Sequence, residues 1–141
     1  MDKQPELQQW LNIADSDLNL AIFSSQKMYP VPYAIICFHC QQAVEKYLKW
    51  FLVLHDFEPP KIHDLAEIKK LCEAINPQFS EISEKCSFLT GHAIQSRYPS
   101  EILIEKQDMD TAIMYAKEIR EFMCTLYPDQ FRSSTSFACI P

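Results

Sequence analysis

The chain of 141 residues contains one glycine, Gly91, and nine prolines. Turn-rich β folds and nucleotide-binding folds built on glycine loops need several glycines, because glycine adopts their left-handed turn conformations at low cost. The prolines lie between stretches in which apolar residues recur at steps of three and four, which is the period of a helix. The sequence therefore predicts an all-α fold.

The prolines and the apolar period together predict about five helices in an up-and-down bundle. The first four cover about residues 5–28, 33–57, 64–75 and the stretch after Asn76-Pro77, with Gly91 marking the weakening or end of the fourth. The last covers about residues 108–127. We expect one domain over residues 5–127 and a poorly ordered tail over 128–141, in which Phe137 could dock on a partner.

Charge and composition exclude several classes of protein. A net charge of −6 argues against binding duplex DNA through a general basic surface. No stretch is long and apolar enough to span a membrane, and the start lacks the basic and apolar regions of a signal peptide, so we expect a cytoplasmic protein. We interpret the six cysteines as reduced thiols, and Cys37 and Cys40 as buried small hydrophobes rather than a redox or zinc pair. We expect no metal site and no cofactor.

Four segments of the chain carry a resemblance to a known family. The most informative is Phe38 to Lys49. Three others accompany it: Trp10 with Ala14, Asp17-Leu18 and Ala21; His63-Asp64-Leu65; and Ser96-Arg97-Tyr98-Pro99. In order and spacing they resemble the HEPN family, whose second helix is similar to Phe38 to Lys49, and which is named for its occurrence in higher eukaryotes and prokaryotes and for proposed nucleotide binding. The resemblance spans about Leu7 to Tyr127 and implies a helical bundle that commonly forms a homodimer.

The resemblance leaves the activity open, because this fold hosts toxin ribonucleases, partners of minimal nucleotidyltransferases, and binding domains without known catalysis. The ribonucleases carry an Arg followed four to six residues later by a His. Here the first arginine, Arg97, comes after the last histidine, His92, so this motif is missing. We therefore assign no catalytic residue.

The second predicted helix supplies the first candidate ligand site, on the face opposite its apolar arc. Lys46 and Lys49 could meet a phosphate, while His39 and Gln42 supply hydrogen bonds. Ile35, Phe38 and Val53 are interleaved with these polar residues, which suggests a contact surface. The alternative is an ordinary solvated helix face, on which Glu45 and Lys49 form an i,i+4 ion pair.

Arg97, Tyr98 and His63 are the remaining candidate ligand residues. Arg97 offers a fork of donors suited to phosphate, and the Tyr98 ring can stack on a base. Alternatively, Arg97 bonds helix carbonyls and Tyr98 packs into the bundle. His63 beside Asp64 could be an oriented base or a local hydrogen-bonding residue.

These observations favour a HEPN protein that binds nucleotide or RNA phosphate without the ribonuclease motif, as a possible partner of a separate nucleotidyltransferase chain in a toxin-antitoxin-like pair. Two alternatives stay open. One is a protein-interaction module that binds no nucleotide and uses Ile35, Phe38 and Val53. The other is a divergent ribonuclease toxin that uses His63 or His92.

Overall fold

The computed structural model describes residues 2–96 and 103–132, and every regular element among them is helical. The elements are α1 (Gln4–Lys27), α2 (Tyr33–Leu54), α3 (Leu65–Ile75), a 3-10 helix (Pro77–Ile82), α4 (Ser83–Ser96), α5 (Lys106–Leu126) and α6 (Pro128–Arg132). The predicted all-α bundle is confirmed. No helix in these two ranges is long and apolar enough to cross a membrane.

α2 is the central helix and packs against α1, α3, α4 and α5. It runs antiparallel to α1, since Lys3 near one end of α1 bonds the Leu54 carbonyl at 2.7 Å, while Asp17 further along bonds Lys46 at 2.8 Å. The predicted apolar arc of α2 is buried or partly buried, from Tyr33 to Leu54. The polar side chains of the neighbouring helices therefore meet those of α2 inside the bundle.

Three residues of the face that was predicted to be open on α2 are in fact buried. Glu45 is 4% exposed, Lys49 6% and Val53 7%. The prediction assumed that one side of α2 faces water, but α3 and α4 pack on it in addition to α1 and α5. Of the three apolar residues proposed as a contact surface, Ile35 is exposed and Phe38 is half-buried.

Two predicted helix ends are also wrong. α2 ends at Leu54 rather than near residue 57, because Asp56 adopts a positive φ of 60° and the Phe57 N–H donates to the Leu52 carbonyl at 2.8 Å. α4 passes through Gly91 to Ser96. The cost of one glycine in a helix is only about 1 kcal/mol, and Leu89 and Ala93 on either side are buried in the core.

The structure differs from the predicted disordered tail over its first five residues. Residues Pro128–Arg132 form α6, and Phe131 is buried against the rings of Tyr47 and Trp50. A stretch of five residues is too short to show an apolar period, so the sequence alone does not predict this helix. Residues 133–141, including Phe137, lie outside the described ranges.

A buried ion pair joins α1, α2 and α5. The Asp15 carboxylate is fully buried and accepts from Arg120 Nε at 2.9 Å, from Arg120 Nη2 at 3.2 Å and from the Tyr47 hydroxyl. The Arg120 guanidinium also lies 5.4 Å from the centre of the Phe131 ring. Burial, reinforced by the Asp15 charge, raises the pKa of Tyr47 well above its ordinary value, so Tyr47 stays a donor.

Cys37 and Cys40 lie in the core on the inner side of α2. Burial, with a smaller contribution from Asp108, raises the pKa of Cys37 to about 12, and burial also raises the pKa of Cys40. Both groups are therefore thiols at neutral pH, as small hydrophobes require. No group of three potential metal ligands occurs in the described part of the chain.

Substituting Arg120 by Met should lower the free energy of unfolding by about 3–5 kcal/mol, because the Asp15 carboxylate keeps its burial but loses its cationic partner. Urea denaturation measures the change. Lys117→Met is the matched control, since Lys117 lies exposed on the same helix and its replacement should have little effect. A loss below about 1 kcal/mol for Arg120→Met would show that the ion pair does not stabilise the bundle.

In native protein at pH 8, Cys37 and Cys40 should resist alkylation by iodoacetamide, whereas both should react after unfolding in guanidinium. A thiol with a pKa near 12 is ionised in only about 1 molecule in 10,000 at this pH. Mass spectrometry of the alkylated peptides measures the rates. Rapid labelling in the native state, or a disulfide between the two residues, would favour the redox interpretation.

Candidate functional site

The first part of the site lies where α1 meets α2, around Asp17. One oxygen of the Asp17 carboxylate is 3.1 Å from His39 Nδ1, and the other accepts from Lys46 Nζ at 2.8 Å. Lys46 also donates to Gln42 Oε1 at 3.1 Å. The lysine predicted to meet a phosphate is therefore already bonded to a carboxylate and an amide.

Two glutamines continue this network across α2. Gln42 Nε2 donates to Gln41 Oε1 at 2.8 Å. Gln41, which is buried, donates in turn to the His63 carbonyl at 2.8 Å and to Glu45 Oε1 at 3.3 Å. The amide pair thus links the α1 side of α2 to the segment that precedes α3.

Glu45 is the centre of the second part of the site. Lys49 Nζ donates to Glu45 Oε2 at 3.1 Å, and His63 Nδ1 lies 3.0 Å from Glu45 Oε1. The Glu45 side chain is buried, whereas the His63 side chain is 61% exposed. Because a carboxylate only accepts, the neutral form of the His63 ring would carry its proton on Nδ1, which leaves Nε2 as an acceptor.

A small cavity of about 110 Å³ opens beside His63, between α2, the start of α3 and α4. We call it the corner cavity. Its lining combines polar side chains with the aliphatic groups of α4: Gln41, His63, Asp64, Thr90, Ala93 and Ile94. Pockets that hold drug-sized ligands measure about 300–1,000 Å³, so this cavity accommodates one ring system or one side chain rather than a whole nucleotide.

Two hydrogen bonds fix the wall of the corner cavity at the start of α3. Asp64 is the N-cap of α3, and its Oδ1 accepts from the Ala66 N–H at 2.9 Å. Thr90 on α4 accepts from the Leu65 N–H at 3.0 Å. A carboxylate and a hydroxyl therefore both bond the first turn of α3.

The predicted ligand residues fall into three groups. His39, Gln42 and Lys46 gather around Asp17, while Lys49 and His63 gather around Glu45. Arg97 and Tyr98 lie outside the described residues. His92, the other histidine considered for catalysis, has its Nδ1 2.9 Å from the Phe88 carbonyl and its Nε2 3.3 Å from the Asp108 carboxylate.

The sequence did not identify Gln41, Asp64 or Thr90 as ligand residues, and Asp17 entered only as part of the family resemblance. Gln41 lies one residue from the predicted Gln42, but its burial depends on how α3 and α4 cover α2. Thr90 had no signal in the sequence, since it reaches α3 across the bundle. Asp17 could have been found by aligning α1 antiparallel to α2, which brings it opposite Lys46.

Comparisons with known proteins agree with this architecture. A sequence model of the HEPN domain matches residues 7–127. A comparison with curated proteins found no match, and neither did a comparison with solved structures. At a coarse level the match supports a role connected with nucleotides or RNA, or a toxin-like role. The chain is matched over most of its length, and every regular element among the matched residues that the structure describes is a helix, so the chain belongs to the HEPN domain family.

Proposed function

We propose that this protein binds a nucleotide or RNA at the corner cavity, with the phosphate held by the Arg97-Tyr98 segment that follows α4. One observation carries the proposal: the buried Glu45 carboxylate holds an exposed histidine, His63, at the edge of a cavity. A surface histidine without such a partner samples several rotamers. Here the ring is fixed, and a fixed ring loses little entropy when it contacts a ligand.

The sequence that follows the α4 residues of the corner cavity is suited to phosphate. Ile94 lines the corner cavity, and Arg97 follows it by three residues in the sequence. Arg97 offers a planar fork of donors, and Tyr98 offers a ring for stacking. A ligand whose base enters the cavity would therefore have a cation available for its phosphate.

The two lysines are less suited to this role than the sequence suggested. Lys46 is bonded to Asp17, and Lys49 to Glu45, and both lysines have little exposed surface. A phosphate at either position would have to displace a carboxylate in a chain whose net charge is −6. We therefore assign the phosphate to Arg97 and give His39, Gln42, Lys46 and Lys49 the role of holding the α2 network.

A second candidate function, RNA cleavage, is favoured by the Glu45–His63 contact itself. A carboxylate on Nδ1 orients an imidazole so that Nε2 can accept a proton, which is the arrangement of many general bases. The missing Arg-to-His motif argues against the mechanism of the ribonucleases in this family. Binding without cleavage remains our proposal, and we further propose a separately encoded nucleotidyltransferase as partner, with family membership as its support.

Calorimetric titration of ATP, GTP and a short RNA, with magnesium, should show saturable binding to the native protein and at least tenfold weaker binding to Arg97→Ala, because the guanidinium contacts the phosphate. Lys117→Ala is the matched control, since it removes one exposed cation from α5. Equal affinity in both variants would exclude Arg97 from the site. RNA products recovered after the titration, and absent from His63→Asn, would favour the ribonuclease.

The exposed side of α1 suggests how the expected homodimer forms. Ile13, Leu20 and Phe23 lie on one stripe of this helix and are about half exposed. Between Leu7 and Gln26 the only charged residues are Asp15, which is buried, and Asp17, which is paired with Lys46. An apolar stripe without exposed charge can pack against its own copy without repulsion, so we propose that two protomers meet through α1.

Phe23→Glu should convert the dimer to a monomer, because two carboxylates would face each other across the two-fold axis. Size-exclusion chromatography with light scattering measures the mass. Leu103→Glu is the matched control, since Leu103 is more exposed than Phe23 and lies away from α1 in the sequence. A dimer that persists in Phe23→Glu would place the interface elsewhere.

A further inference from the structure

We propose that the corner cavity is a base pocket that selects guanine, with Asp64 and Thr90 reading the edge of the base. The inference rests on the proposed nucleotide binding and names the base. Its starting point is the pair of hydrogen bonds at the first turn of α3, which place a carboxylate and a hydroxyl in the lining of one cavity.

The size and walls of the cavity fit a base rather than a phosphate. A volume of about 110 Å³ holds a single planar ring system. Ala93 and Ile94 give an aliphatic wall for the face of a base, and the His63 imidazole, fixed by Glu45, gives a planar one. Asp64 in the lining and Glu45 behind it disfavour an anion, so the phosphate of the ligand must lie outside the cavity.

The polar groups in the lining distinguish between bases. Asp64 can only accept hydrogen bonds, and one of its oxygens already accepts from Ala66. Guanine presents two adjacent donors, N1–H and the N2 amino group, beside one acceptor, O6. Adenine and cytosine each place an unprotonated ring nitrogen next to their amino group, which would meet the carboxylate with a lone pair.

Thr90 complements the remaining group of the guanine edge, the O6 acceptor. Its hydroxyl oxygen accepts from the Leu65 N–H, and its own hydrogen can be donated to a ligand. Asp64 and Leu65 are neighbours in the chain. The Asp64 carboxylate and the Thr90 hydroxyl that bonds Leu65 therefore both lie at the first turn of α3. The protein thus offers a donor, the Thr90 hydroxyl, beside an acceptor, the Asp64 carboxylate. Guanine offers the complementary groups, the O6 acceptor beside the N1–H and N2 donors.

Asp64→Asn tests the assignment without removing the cap of α3, because asparagine is an equally good N-cap. An amide replaces one acceptor by a donor. The Asp64→Asn variant should therefore bind guanine about ten- to a hundredfold more weakly than the native protein does. It should bind xanthine more tightly, since xanthine carries an oxygen where guanine carries the amino group. Asp110→Asn is the matched control, an exposed aspartate on α5 that does not line the cavity.

The measurement is calorimetry of the full chain with GTP, ATP and xanthosine triphosphate, for the native protein and both variants. We expect GTP to bind the native protein at least tenfold more tightly than ATP, and the order of GTP and xanthosine triphosphate to reverse in Asp64→Asn alone. Equal binding of GTP and ATP, unchanged in Asp64→Asn, would overturn the guanine pocket and leave nucleotide binding standing. No binding of any of the three would overturn both proposals.

Discussion

The central position of α2 is the constraint on which the rest of the structure depends. Four helices pack on it, so the polar side chains of α2 have little access to bulk water and must find partners within the protein. Asp17, Gln41, Glu45 and the histidines supply those partners in one connected network from α1 to α3. The fixed His63 ring, and with it the candidate site, follows from this need to satisfy buried polar groups.

The sequence predicted the fold closely because its helices are long and separated by prolines. α1, α3 and α5 begin and end within two residues of the predicted bounds. The errors arose where local signals are weak. Gly91 looked like a helix end, yet the core contacts of Leu89 and Ala93 outweigh the cost of a single glycine. α6 was missed because Phe131 is the main apolar anchor of five residues.

The candidate site was predictable only in part, since sequence patterns give the faces of a helix but not what covers them. His63 was identified because the segment His63-Asp64-Leu65 resembles the HEPN family. Lys49 and Glu45 were recognised as an i,i+4 pair, but their burial depends on α3 and α4, which are distant in sequence. Thr90 contributes because it accepts a hydrogen bond from Leu65 on another helix, and no pattern within α4 predicts that role.

The most direct test of the account is an amide NMR titration of the native 16.5 kDa chain with GMP. We expect chemical shifts to change at the corner cavity, at the amides of Leu65, Ala66, Thr90 and Ala93, and to saturate together. Changes confined to the residues around Asp17 and Lys46 would contradict this account, because they would place the nucleotide at the α1 end of the hydrogen-bond network, away from the corner cavity.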